Sequence, residues 1–107
     1  PWLPATPTSP VEAAVYDPNS QMLRGFLAGT DERLSSTGEA WLIISDIAEH
    51  LRLRSREELL GWIKDSGLCV VDRIDAKPNH PKTRNQTDAL HNARAKELTS
   101  LWRLKKC

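Results

Sequence analysis

A continuous apolar run, Ala40-Trp41-Leu42-Ile43-Ile44, constrains this chain more than any other feature. It has strand length and does not alternate with polar residues. That pattern predicts a strand covered on both faces, the habit of a parallel strand in a layered sheet. Ser45-Asp46 closes the run. Beyond it, Ser55-Arg56-Glu57-Glu58 is a capping box: the Ser55 hydroxyl accepts from the third backbone N–H of a helix, and the Glu58 carboxylate reaches back. Leu59, Leu60, Trp62 and Ile63 supply that helix's buried side, and Gly67 stops it. Residues 47–54 read as a short helical turn in front of it. Leu68-Cys69-Val70-Val71 then opens a second strand that continues to Ile74 and ends before Pro78. Strand, helix, strand with buried strands is a parallel crossover unit.

The flanks complete the order. Five of the seven prolines lie in residues 1–20, which makes that stretch extended loop. Asp17-Pro18 reads as a helix start, a capping carboxylate followed by proline at the first helical position. Met22, Leu23, Phe26, Leu27 and Leu34 approximate one face of the helix behind it. After the second strand comes a polar stretch, then a short helix near residues 88–96. Residues 98–104 form a last strand that returns antiparallel, because no long crossover helix precedes it. The expected class is α/β, with a three-stranded mixed sheet of two parallel strands plus an antiparallel last strand, flanked by helices.

Composition narrows the function classes. The chain has 107 residues, 39% hydrophobic and 27% charged, with four tryptophans, and no apolar run nears the roughly 18–20 residues that cross a bilayer. Cys69 sits in an apolar run and Cys107 is the last residue, a pairing that suggests no crosslink and favours a reducing cytoplasm. His50, His80 and His91 are scattered without ligand spacing, so no metal site is expected. Neither a nucleophile elbow nor a glycine-rich phosphate loop is present. The net charge of +1 hides an asymmetry. Positive charge concentrates at Lys77, Lys82, Arg84, Arg94 and Lys96, against Asp88 alone. Solvated loop is the plain reading of such a run. A contact surface for a phosphate-bearing partner is the sharper one.

Few residues stand out as chemistry. Asp46 ends a buried strand, where α/β sheets place ligands, although a cap for the following turn is the preferred reading. Glu49 and His50 read as surface residues of that turn. Trp41, Trp62 and Trp102 fall in periodic apolar segments and belong to the core. Trp2 lies in a proline-flanked stretch with no packing face of its own, where an aromatic could stack on a planar ligand.

Pro1-Trp2-Leu3-Pro4-Ala5 resembles the second half of the Asn-Pro-Pro-aromatic motif of class I S-adenosylmethionine-dependent methyltransferases, in particular the "methyltransferase small domain" group. Tyr16-Asp17-Pro18 resembles the Tyr-Glu-Pro that follows the motif in glutamine-modifying members. Strand 40–45, helix 55–66, strand 68–76 and strand 98–104 are similar to the fifth strand, its crossover helix, the sixth strand and the antiparallel seventh of that fold. The resemblance covers nearly the whole chain and implies the carboxyl-terminal half of a Rossmann-like catalytic domain.

What it implies for function is specific. In the family the motif's Asn side chain and first Pro carbonyl accept hydrogen bonds from the target amino group, while the aromatic stacks on the substrate plane. Pro1 and Trp2 would be the part of that motif carried here. The cofactor would be S-adenosylmethionine, held mostly by residues outside this chain. The substrate nitrogen would belong to an RNA base or a protein side chain. The absence of Met at residue 1 fits a piece of a longer protein, inactive alone and prone to self-associate through the exposed strand 40–45. The alternative is a non-enzymatic nucleic-acid-binding module that uses the basic 77–96 region.

Overall fold

The computed structural model describes residues 3–6, 8–10, 16–78 and 95–107. Pro18–Ser20 makes a tight 3-10 turn that leads into α1 (Gln21–Arg33). There follow β1 (Ala40–Ser45), α2 (Ile47–His50), α3 (Arg56–Asp65), β2 (Leu68–Ala76) and β3 (Thr99–Lys106). α3 starts as its sequence dictates: the Ser55 hydroxyl accepts from the Glu58 N–H and the Glu58 carboxylate from the Ser55 N–H, both at 3.0 Å. It stops before Gly67, whose φ of 79° suits the one residue without a Cβ.

The sheet order is β1-β3-β2, and both ladders are antiparallel. The chain is therefore α/β with an antiparallel sheet, and the expected parallel pairing of the first two strands does not form. β1 and β2 do share a direction, since each opposes β3, but β3 lies between them and takes the hydrogen bonds of both. The return of β3 is antiparallel, as expected.

Among the described residues, the core packs on one side of this sheet. Leu23 and Leu27 of α1, with Leu59 and Ile63 of α3, cover Ala40 and Ile44 of β1, Leu68 of β2, and Trp102 and Leu104 of β3. Removing that apolar surface from water is the main force holding the layers together. The guanidinium carbons of Arg56 and Arg73 lie over the Trp102 ring, 5.2 and 5.3 Å from its centre, in cation–π contact with it.

The other face is open among the described residues, which corrects the expectation of strands covered on both sides. Trp41 and Ile43 are each 62% exposed, and Ile74 is 54% exposed. Trp41 is thus no core residue. Trp102 is, and Trp62 packs partly buried against the core. A continuous apolar run cannot show whether a second layer is present; it shows only that the strand tolerates one. In α1 the same limit applies. Leu23 and Leu27 are buried one turn apart, Leu34 packs at the core's margin, and Met22 and Phe26 face outward.

Cys69 and Cys107 are disulfide-bonded, with Cα atoms 5.1 Å apart, contrary to the reading of two unlinked thiols. The cause is the length of β3. It runs to Lys106 rather than 104, and the Cys107 N–H donates to the Gly67 carbonyl at 3.1 Å, which lays Cys107 beside the start of β2. The sequence ground for a reducing cytoplasm goes with that bond. No helix among the described residues is long and apolar enough to cross a membrane.

Candidate functional site at the carboxyl end of the first strand

Six polar residues are buried among the described residues, and five of them gather where β1 ends: Asp17, Ser20, Ser45, Arg54 and Glu97. Burying polar groups costs free energy unless each finds a partner, so such a cluster is held by its hydrogen bonds. Ser45 is the hub. Its hydroxyl donates to the Glu97 carboxylate and accepts from the Ile47 N–H at 3.0 Å. Its carbonyl faces Arg54 Nη2 at 3.4 Å. Arg54 Nη1 lies 3.5 Å from the Ser20 hydroxyl, so the guanidinium spans the space between the start of α1 and the end of β1.

Asp17 enters the cluster through backbone geometry. Asn19 and Ser20 both have positive φ, 56° and 55°, which turns the chain sharply and aims the first N–H groups of α1 back at residue 17. The Asp17 carboxylate accepts from Met22 at 2.7 Å and from Leu23 at 3.1 Å. It therefore does cap α1, but across an intervening turn. An anion at that end of a helix also meets the positive end of its dipole.

Asp46 acts differently from the expected cap. Its Oδ1 accepts from the Leu98 N–H at 2.7 Å, while its own N–H donates to the Leu98 carbonyl at 3.0 Å. Its Oδ2 lies 3.2 Å from His50 Nε2. Asp46 thereby pins the approach to β3 against the end of β1. His50 is exposed, as expected of a surface residue of the turn, whereas Glu49 is half-buried and accepts from Arg56 Nε at 3.1 and 3.0 Å.

Arg54 carries the most unusual electrostatics. It is 4% exposed, and its Nε has no hydrogen-bond partner among the described residues. Burial pushes the guanidinium below its ordinary pKa, while the nearby charges of Glu49, Asp17 and Glu58 act the other way. Sequence reasoning missed this residue. Arg52, Arg54 and Arg56 alternate in a charged stretch, and nothing local shows that the middle one turns inward.

The Leu3 carbonyl accepts from the N–H groups of Ala5 at 2.8 Å and Asp17 at 2.6 Å, and Leu3 forms a parallel bridge with Tyr16. The residues just after Pro1-Trp2 are thus fastened to the segment that carries Asp17. Pro1 and Trp2 themselves lie outside the described residues, as do Lys82, Arg84 and Arg94 of the basic region and most of the helix expected near 88–96. Lys77 donates from Nζ to the Ala95 carbonyl, joining the two ends of the polar stretch, and Lys96 is exposed. Among the described residues, no group of three or more His, Cys, Asp or Glu could hold a metal ion. Compared with known proteins, the chain matches no family model, no curated protein and no solved structure.

Proposed function

We propose that this chain is the carboxyl-terminal half of a class I S-adenosylmethionine-dependent methyltransferase that modifies an amino or amide nitrogen of an RNA base or a protein side chain. The observation that carries the reading is the fastening of Leu3 to Tyr16 and Asp17. It brings the residues after Pro1-Trp2 to Tyr16-Asp17-Pro18. The cluster of Ser20, Arg54 and Ser45 links that segment to the carboxyl end of β1, where α/β sheets bind ligands. Two strands of one direction joined through α3, with a last strand returning antiparallel, also suit the fold that the resemblance implies.

On this reading Trp2 stacks on the plane of the target group and Pro1 belongs to the turn that presents it. Their contribution is positioning: a nitrogen held in line for attack gains rate from orientation and from fixed hydrogen-bond acceptors. The residues of this chain do not furnish the cofactor's site. Gly25, Gly29, Gly38, Gly61 and Gly67 are dispersed, and none makes a glycine-rich loop. The site would belong to preceding residues, which would also supply the Asn and first Pro of the motif. The open edge of β1 and its apolar outer face suit pairing with a further strand; in the isolated chain they would lead to self-association.

Isothermal titration tests the half-domain reading. The 107 residues alone are expected to show no heat with S-adenosylmethionine. A chain extended upstream by its native residues is expected to bind it and to transfer methyl groups, with turnover lost in Trp2→Ala. Micromolar binding by the 107 residues alone would overturn the reading.

A further inference from the structure

We propose that the cleft between α2 and α3 is a phosphate site, with Arg54 as its buried anchor and Arg52 as its outer arm. The cleft has a volume of about 420 Å³ and is lined by Glu49, Arg52, Arg54, Ser55, Arg56 and Glu58. Three guanidinium groups therefore meet two carboxylates, and both carboxylates are engaged. Glu49 holds Arg56 Nε at 3.0 and 3.1 Å, and Glu58 closes the capping box of α3. Asp17, on the far side of Arg54, is taken up by the first N–H groups of α1. None of these carboxylates forms a direct ion pair with Arg52 or Arg54 among the described residues, although Glu49, Asp17 and Glu58 lie near enough to act on Arg54 through space.

Arg54 points most directly to a ligand. A guanidinium presents five N–H donors in a rigid fork. Among the described residues its side chain makes only two hydrogen bonds, at 3.5 and 3.4 Å, and Nε makes none. No ion pair ties it to a carboxylate among the described residues. A buried charge with so few partners is costly unless an anion completes it. A tetrahedral oxyanion fits the need, because its oxygens accept from one fork while a second guanidinium shares its charge. The inference does not depend on methyl transfer.

Arg52 makes the test separable from folding. It is exposed and has a φ of 58°, so Arg52→Gly suits the backbone while deleting the outer arm. Inorganic phosphate would be titrated into the chain while the arginine Nε–H resonances are followed by NMR. The expected result is one saturable site that shifts the Arg54 resonance. Affinity should fall about tenfold or more in Arg52→Gly, in line with the loss of one charge-assisted bond. It should be unchanged in the double variant Lys82→Ala, Arg84→Ala, and acetate should bind more weakly than phosphate. The proposal is overturned by the absence of saturation, by equal affinity in Arg52→Gly, by loss of binding in the double variant, or by acetate binding as tightly as phosphate.

Discussion

The two edges of the sheet are built on opposite plans. β1 offers six residues without a charge, a proline or a bulge. The Asp46 N–H to Leu98 carbonyl bond sets the alternation of its ladder, so Ala40, Leu42 and Ile44 bond inward while the backbone groups of Trp41 and Ile43 face the side that carries no strand among the described residues. β2 is guarded. A register shift between Val70 and Asp72 breaks its line, Asp72, Arg73 and Asp75 place charge along it, and the Cys69–Cys107 bond ties down its start. These are the devices by which proteins blunt an edge against further pairing. The contrast teaches that β2 is finished as an outer strand, whereas β1 is suited to receive another.

The largest expected effect comes from removing the guard on β2. The disulfide closes a separation of 38 residues, so Cys69→Ser, or reduction, should lower the unfolding free energy by about 3–4 kcal/mol. Urea melts would show it as a fall in midpoint. Amide exchange should quicken at Leu68 and Val70 more than in β1; equal acceleration in both strands would contradict a local clamp.

The comparison sharpens when each edge is charged in turn. Ile43→Lys is expected to keep the chain monomeric in sedimentation runs at concentrations where the native sequence associates. The matching change on the guarded edge, Ile74→Lys, should leave association unchanged. Both positions are more than half exposed, so neither change should shift stability by more than about 0.5 kcal/mol.

The smallest effect lies where the two edges are tied together. Arg103 on the central strand holds Glu39 at 2.8 and 2.9 Å, just before β1, and faces Asp72 of β2 at 3.5 Å. Its hydrogen bonds, followed by that of Trp41, hold the Glu39 carboxyl at about 2, below the ordinary 4.5. A lowered folded pKa means that the stabilising contribution is complete above pH 4.5 and is lost as pH falls toward 2. Glu39→Gln should remove that part of the acid sensitivity. The pair is solvent-exposed, so the difference should be slight and should shrink further in salt.

Local chemistry made parts of this fold legible. The Ser55–Glu58 box, the Gly67 stop and the start of β2 each depend on neighbours within a few residues, and each is found where the pattern places it, whereas Asp17 caps α1 only across the 3-10 turn that intervenes. The site was less legible. Asp46 was singled out for its place at a strand's end, but its partner is Leu98, a distant residue that no spacing announces. Ser45, Glu97 and Arg54 gave no signal, because a short polar residue after a strand and an arginine among arginines are ordinary in loops.

The sequence by itself determined where the three strands lie, where α3 begins and ends, and that the last strand turns back. Only the tertiary structure decided that β3 inserts between β1 and β2, that Trp41 and Ile43 face outward, that two cysteines far apart in sequence meet, and that Arg54 is drawn inside. The reason is physical. Caps, stops and strand runs are settled by interactions within a turn or two of the chain. Strand order, burial and side-chain pairing depend on distant segments competing for the same surface, and any one segment carries the same pattern whichever of them wins.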